Sequence, residues 1–102
     1  MESVYDDVIA MWKAVWGAYG FICKYQPTAQ QVYLWLEHDA TNMDLVLESV
    51  EDGIPNFIRR INGKPGDTIR SGTATWCVNY ISGVVRNKKT NLSQSDVIRE
   101  AD

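Results

Sequence analysis

Apolar residues in this chain return at helical spacing, and that periodicity limits what it can fold into more than any other feature. Val4, Val8, Met11, Trp12, Val15, Trp16 and Tyr19 make the first such stripe. With Ser3 as an N-cap and Asp6 in the first turn, they predict a helix from about residue 3 to residue 17. Gly17 and Gly20 offer ways to end it. Phe21 to Tyr25 reads as a short helical extension or a packed connector. Thr28 and Gln31 have capping-box spacing. Val32, Trp35 and Leu36 then form one face of a helix ending near His38. Thr41 with Asp44 starts the next helix, whose inner stripe is Met43, Val46, Leu47 and Val50. Gly53 is expected to interrupt it, and Pro55 to open a further short segment through Phe57, Ile58 and Ile61.

Asn62-Gly63-Lys64-Pro65-Gly66-Asp67 is dense in turn formers, so residues 62–72 read as the main loop. Its flanks do not alternate as a hairpin requires. Trp76, Cys77, Tyr80, Ile81, Val84 and Val85 restore the stripe and predict a helix over about 73–88. Ser93 and Asp96 mark a last short helix or a frayed tail over 90–102. These elements predict an all-α fold: one domain of 1–102, a compact orthogonal bundle of five or six short helices. The chain has 102 residues, 45% of them hydrophobic, with four Trp and five Tyr. That composition excludes the disordered class and is enough for one core.

Chemistry-bearing clusters are scarce. Cys23, Cys77 and the single histidine, His38, cannot supply a zinc site in a recognisable spacing. Two reduced, partly buried thiols are the expectation. His38 stands beside Glu37 and Asp39, but neighbours on a helix point in different directions. Residues 63–68 lack P-loop spacing. Ser71-Gly72-Thr73 reads as a plain helix start. No catalytic residues, metal or cofactor are assigned, and an enzyme is not expected. The apolar stretches are too short to span a membrane. The acidic N-terminus is unlike a targeting peptide, so the expected location is cytoplasmic.

Charge is arranged unevenly behind an overall net of −3. Residues 1–52 carry two basic residues against nine acidic ones, a net of −7. Residues 53–90 carry seven basic residues against Asp67 alone, a net of +6, and residues 91–102 are net −2. The basic stretch is a candidate phosphate-binding footprint. Arg59, Arg60, Lys64, Arg70, Arg86, Lys88 and Lys89 would contact phosphates, with Trp76 or Tyr80 stacking on bases. The rival surface is acidic: Asp6, Asp7, Glu37, Asp39, Asp44, Glu48, Glu51 and Asp52. It suits a protein-binding adaptor or inhibitor, of phage or mobile-element type, with no nucleic-acid role. The two halves can also pair within the fold or between copies, which makes a homo-oligomer a further expectation.

Three segments carry a family resemblance. Pro27-Thr28-Ala29-Gln30-Gln31-Val32-Tyr33-Leu34-Trp35-Leu36 gives a capped Trp helix. Met43-Asp44-Leu45-Val46-Leu47-Glu48-Ser49-Val50 gives the next. Tyr80-Ile81-Ser82-Gly83-Val84-Val85 is similar to a YxxxIL signature. Over about residues 27–89 the chain resembles the C-terminal domain of DnaD/DnaB-type primosome proteins and phage replisome organisers. It departs at Val84-Val85, where Ile-Leu is usual, and at Lys88, often Trp. The resemblance implies a helical, non-catalytic DNA-replication accessory domain. Such a domain binds single-stranded DNA and a replicative helicase or initiator, with Arg86, Lys88 and Lys89 in the DNA-contacting segment.

Overall fold

The computed structural model describes the backbone of residues 2–37 and 43–101, and the side chains of 4–37 and 43–91. Four helices and two short strands follow in the order α1 (Glu2–Ala18), β1 (Ile22–Cys23), α2 (Ala29–Leu36), α3 (Met43–Arg60), β2 (Thr68–Ile69) and α4 (Ser71–Ala101). The all-α expectation holds in its coarse form. The helix count is four among the described residues, below the five or six expected, because two predicted breaks are not breaks.

The first false break is at Gly53 and Pro55, both buried inside the continuous α3. A Cβ added at Gly53 would lie 2.3 Å from Ile81 Cδ1. Gly53 is therefore a contact point where α4 comes close, not a terminator. Pro55 cannot donate to the carbonyl one turn back, a defect that costs about 3 kcal/mol in a helix interior. Burial of Ile54, Phe57 and Ile58 around it, each contributing roughly 1.5–3 kcal/mol, offsets that loss. The second false break is the tail. Nothing interrupts the backbone after Val85, and α4 runs unbroken for 31 residues.

Helix ends follow the local chemistry. Gly20 has φ of 82°. Its N–H donates to Gly17 O (3.0 Å), and the Phe21 N–H donates to Trp16 O (3.0 Å). That is a Schellman end, completed by the Trp16–Phe21 ring contact at 5.6 Å. Asn62, with φ of 54°, ends α3 in the same way, through Asn62 N–H to Arg59 O and Gly63 N–H to Ile58 O. Thr28 caps α2, its hydroxyl accepting from the Gln31 N–H at 3.1 Å. The predicted Thr41 cap lies outside the described residues.

Two loops that read as irregular pair instead. Ile22 aligns with Thr68 and Cys23 with Ile69 in a two-stranded parallel sheet. The Gly66 N–H to Gly20 O bond at 2.7 Å and Ile22 N–H to Asp67 O at 3.0 Å hold the 61–70 loop against the 20–23 connector.

The helix α3 is central, packing on α1 and on α4. Lys88 meets Asp52, Ile81 meets Gly53, and Trp76 and Tyr80 meet Phe57, so α3 and α4 run antiparallel. A line of aromatic rings crosses all three helices. Trp12 touches Trp16, Trp16 touches Phe57, and Phe57 touches Trp76 and Tyr80, with centroids 5.2–6.5 Å apart. Such pairs contribute about 0.5–1.5 kcal/mol each beyond their buried area. The shorter α2 is tied to α4 by one hydroxyl. Ser82 Oγ accepts from Trp35 Nε1–H (2.7 Å) and Gln31 Nε2–H (3.3 Å) and donates to Val78 O (3.0 Å). Its donor and both lone pairs are used.

If Gly53 is set by the approach of α4, Gly53→Ala is expected to destabilise the fold by about 1–3 kcal/mol, despite alanine's better helix propensity. Ile81→Val removes the clashing methyl, so the double variant should be more stable than the two single losses added together. Urea unfolding of the four-member cycle checks this. Strict additivity would mean that Gly53 and Ile81 do not meet.

Candidate nucleic-acid interface

The nine residues expected to contact nucleic acid fall into two groups. The C-terminal end of α3, the 61–70 loop and the first turns of α4 bring Arg59, Arg60, Lys64, Arg70, Trp76 and Tyr80 to one end of the molecule. Arg86, Lys88 and Lys89 lie further along α4, with Lys88 about 18 Å of helix beyond Trp76.

At the first end, Phe57 is fully buried and positions two rings above it. Trp76 stands edge-on to Phe57 at 5.2 Å and 89°, and remains 52% exposed. Tyr80 is half-buried, tilted against Phe57 at 5.7 Å. The Arg60 guanidinium sits 5.6 Å from the Tyr80 ring centroid, a cation–π contact. It occupies a face of Tyr80 and leaves Trp76 as the ring open to stacking. Arg59 is bonded to Asn56 of its own helix. Lys64 and Arg70 are exposed. Their one acidic neighbour in sequence, Asp67, is engaged by the Lys64 N–H at 3.0 Å. A hollow of about 290 Å³ beside them is lined by Asn62, Thr68, Arg70 and Thr73, among others.

The second group divides again. Lys88 turns to α3 and pairs with Asp52 at 3.2 Å. Lys89 turns to α2 and donates to Trp35 O at 2.8 Å. Adjacent in sequence, they point to opposite flanks of α4, as a 100° step per residue requires. Arg86 and Lys89 border a groove of about 510 Å³ between α2 and α4, with Gln31, Leu34, Asn79 and Ser82. The basic stretch is therefore not one face. Part of it is engaged with the acidic half, as in the Lys88–Asp52 pair, which is worth little at the surface.

Of the acidic residues, Asp6 and Asp7 are exposed on α1, and Asp44, Glu48, Glu51 and Asp52 are exposed on α3. Glu37 follows α2 and borders the groove. Asp39 and His38 lie outside the described residues. Leu34, 55% exposed on the groove rim, was missed from sequence. The available signal was its position off the Val32–Trp35–Leu36 stripe. Spacing places Phe57 only on a short apolar segment after Pro55, and its role as support for Trp76 and Tyr80 depends on a contact between helices.

Among the described residues, no group of three or more His, Cys, Asp or Glu side chains could hold a metal ion. No helix, among the residues described, is long and apolar enough to cross a membrane. Both cysteines are free. Burial pushes the Cys23 thiol up, and burial followed by repulsion from Cys23 pushes Cys77 up much further. Comparison with protein-family models, curated proteins and solved structures finds no match to this chain.

The raised Cys77 pKa has a signed consequence. The unfolded thiol ionises first, so the stabilisation is complete below about pH 8.5 and is lost as pH rises towards the folded value. The free energy of unfolding should fall above that pH, with Cys77 contributing a slope of up to about 1.4 kcal/mol per pH unit. Chemical denaturation between pH 7 and about 10, under reducing conditions, should show a shallower fall in Cys77→Ala. Equal slopes in the two proteins would place Cys77 in contact with water.

Proposed function

We propose that this chain is a non-catalytic accessory domain of DNA replication in the cytoplasm, binding single-stranded DNA at its basic aromatic end and a helicase or initiator protein elsewhere. The observation that carries the reading is Trp76, a half-exposed ring braced by Phe57, with Arg60 on the neighbouring Tyr80 ring and Arg59, Lys64 and Arg70 exposed on the segments that lead into α4. Base stacking on such a ring is worth about 1–3 kcal/mol, and nearby cations follow the phosphates. The similarity of the Trp35, Met43–Val50 and Tyr80 segments to DnaD/DnaB-type domains and phage replisome organisers supports the same reading. Arg86, Lys88 and Lys89 take a lesser part in it, since two of the three are engaged within the fold. A second reading, an acidic adaptor or inhibitor of a basic partner protein, is favoured by Asp44, Glu48 and Glu51 recurring at i, i+4 and i+7 on exposed α3.

Titration of a fluorescent oligothymidylate at several salt concentrations tests the DNA reading. With four cations engaged, log K against log[salt] should have a slope near about −3, against roughly −5 for all seven. Trp76→Ala should weaken binding by about 1–3 kcal/mol, or roughly 5- to 150-fold. No binding at low salt, or binding indifferent to salt, would rule it out.

A further inference from the structure

Trp76 is half-exposed, Arg59, Lys64 and Arg70 are exposed between the end of α3 and the start of α4, and the chain itself carries a surface of opposite charge. On α3, Asp44, Glu48 and Glu51 are exposed and make no ion pair among the described residues, whereas Asp52 is paired to Lys88. We propose that copies of this chain associate head to tail, the acidic face of α3 in one copy covering the basic aromatic end of the next.

Three points carry the proposal. First, the acidic residues and Arg59 sit on one helix, and even the nearest of these pairs, Glu51 and Arg59, is about 12 Å apart along it, too far for an ion pair. From Asp44 to Arg59 is about 22 Å of helix, beyond the Debye length of about 10 Å at 0.1 M salt. Each end is thus free to act on another molecule. Second, the helix dipole does not account for the arrangement. It favours Asp44 at the N-terminus of α3 and Arg59 and Arg60 at its C-terminus. It says nothing for Glu48 and Glu51 in mid-helix, or for Lys64 and Arg70 in the loop region beyond. Third, the basic end carries an apolar anchor. Trp76 is 52% exposed, and tryptophan and arginine are the residues most enriched at the centres of protein contacts.

The two surfaces are different patches, so the contact is heterologous. It propagates into rings or filaments instead of closing as a symmetric pair. The inference rests on charge placement and does not require DNA binding. Where both occur, DNA and the next copy compete for the same end.

Sedimentation velocity of the full chain tests it, with two neutralising double variants on exposed positions. Glu48→Gln/Glu51→Gln removes the acidic face, and Arg59→Gln/Lys64→Gln removes the basic end. Circular dichroism confirms that each keeps its helices. The wild type should assemble with rising concentration in low salt and weaken by about tenfold or more in high salt, where screening is short-ranged. Each variant alone should remain monomeric. Their mixture retains one acidic face and one basic end, and should give a discrete dimer that grows no further. A wild type that stays monomeric in low salt would overturn the proposal. So would assembly that survives in either variant, or a mixture no larger than its components.

Discussion

Phe57 is the residue on which the arrangement turns. It lies fully buried on the central helix and touches Trp16 of α1 on one side and Trp76 and Tyr80 of α4 on the other. Without it the two outer helices share no aromatic contact, and the exposed Trp76 has no brace. Gly53, one helical turn earlier, lets α4 come near enough for those rings to meet. Packing at two positions therefore sets both the core and the candidate surface.

That packing also explains how the charges are distributed. Once α3 is central and continuous, the acid-to-base order of the sequence becomes a separation along a single helix. Asp44, Glu48 and Glu51 take its first half, and Arg59 and Arg60 its end. The later cations follow a different rule. They ride on α4, whose turn sends Lys88 to Asp52 and Lys89 to the carbonyl of Trp35. A run of like charge in sequence thus divides between four cations near the end of α3 and the start of α4, Arg86 on the groove, and two engaged side chains.

Much of this was readable beforehand where the signal was local. The Val8–Trp12–Val15–Trp16 stripe, the Thr28 cap and the Cys77–Ile81–Val85 face of α4 all follow from spacing within one element. Gly53 and Pro55 were misread because the same residues serve as breakers or as points of close packing, and only the neighbouring helix decides which. The sheet was invisible for a different reason. Two residues per strand carry no periodicity, and the partners Ile22 and Thr68 lie far apart in the chain. At the site, the residue types were legible and their grouping was not. Trp76 and Arg60 were both named, but Phe57, which touches Trp76 and the Tyr80 ring that carries Arg60, joins them only through the packing of α3 on α4.

The most direct test of this account is a map of the surface by nuclear magnetic resonance, following backbone amide, arginine Nε and tryptophan indole signals as oligothymidylate is added. The account predicts shifts concentrated at Arg59, Arg60, Lys64, Arg70, Trp76 and Tyr80, with the Trp76 indole among the largest. Trp12 and Trp16, and the groove residues between α2 and α4, should barely move. Shifts centred on Arg86 and Lys89, or no shifts at low salt, would contradict it.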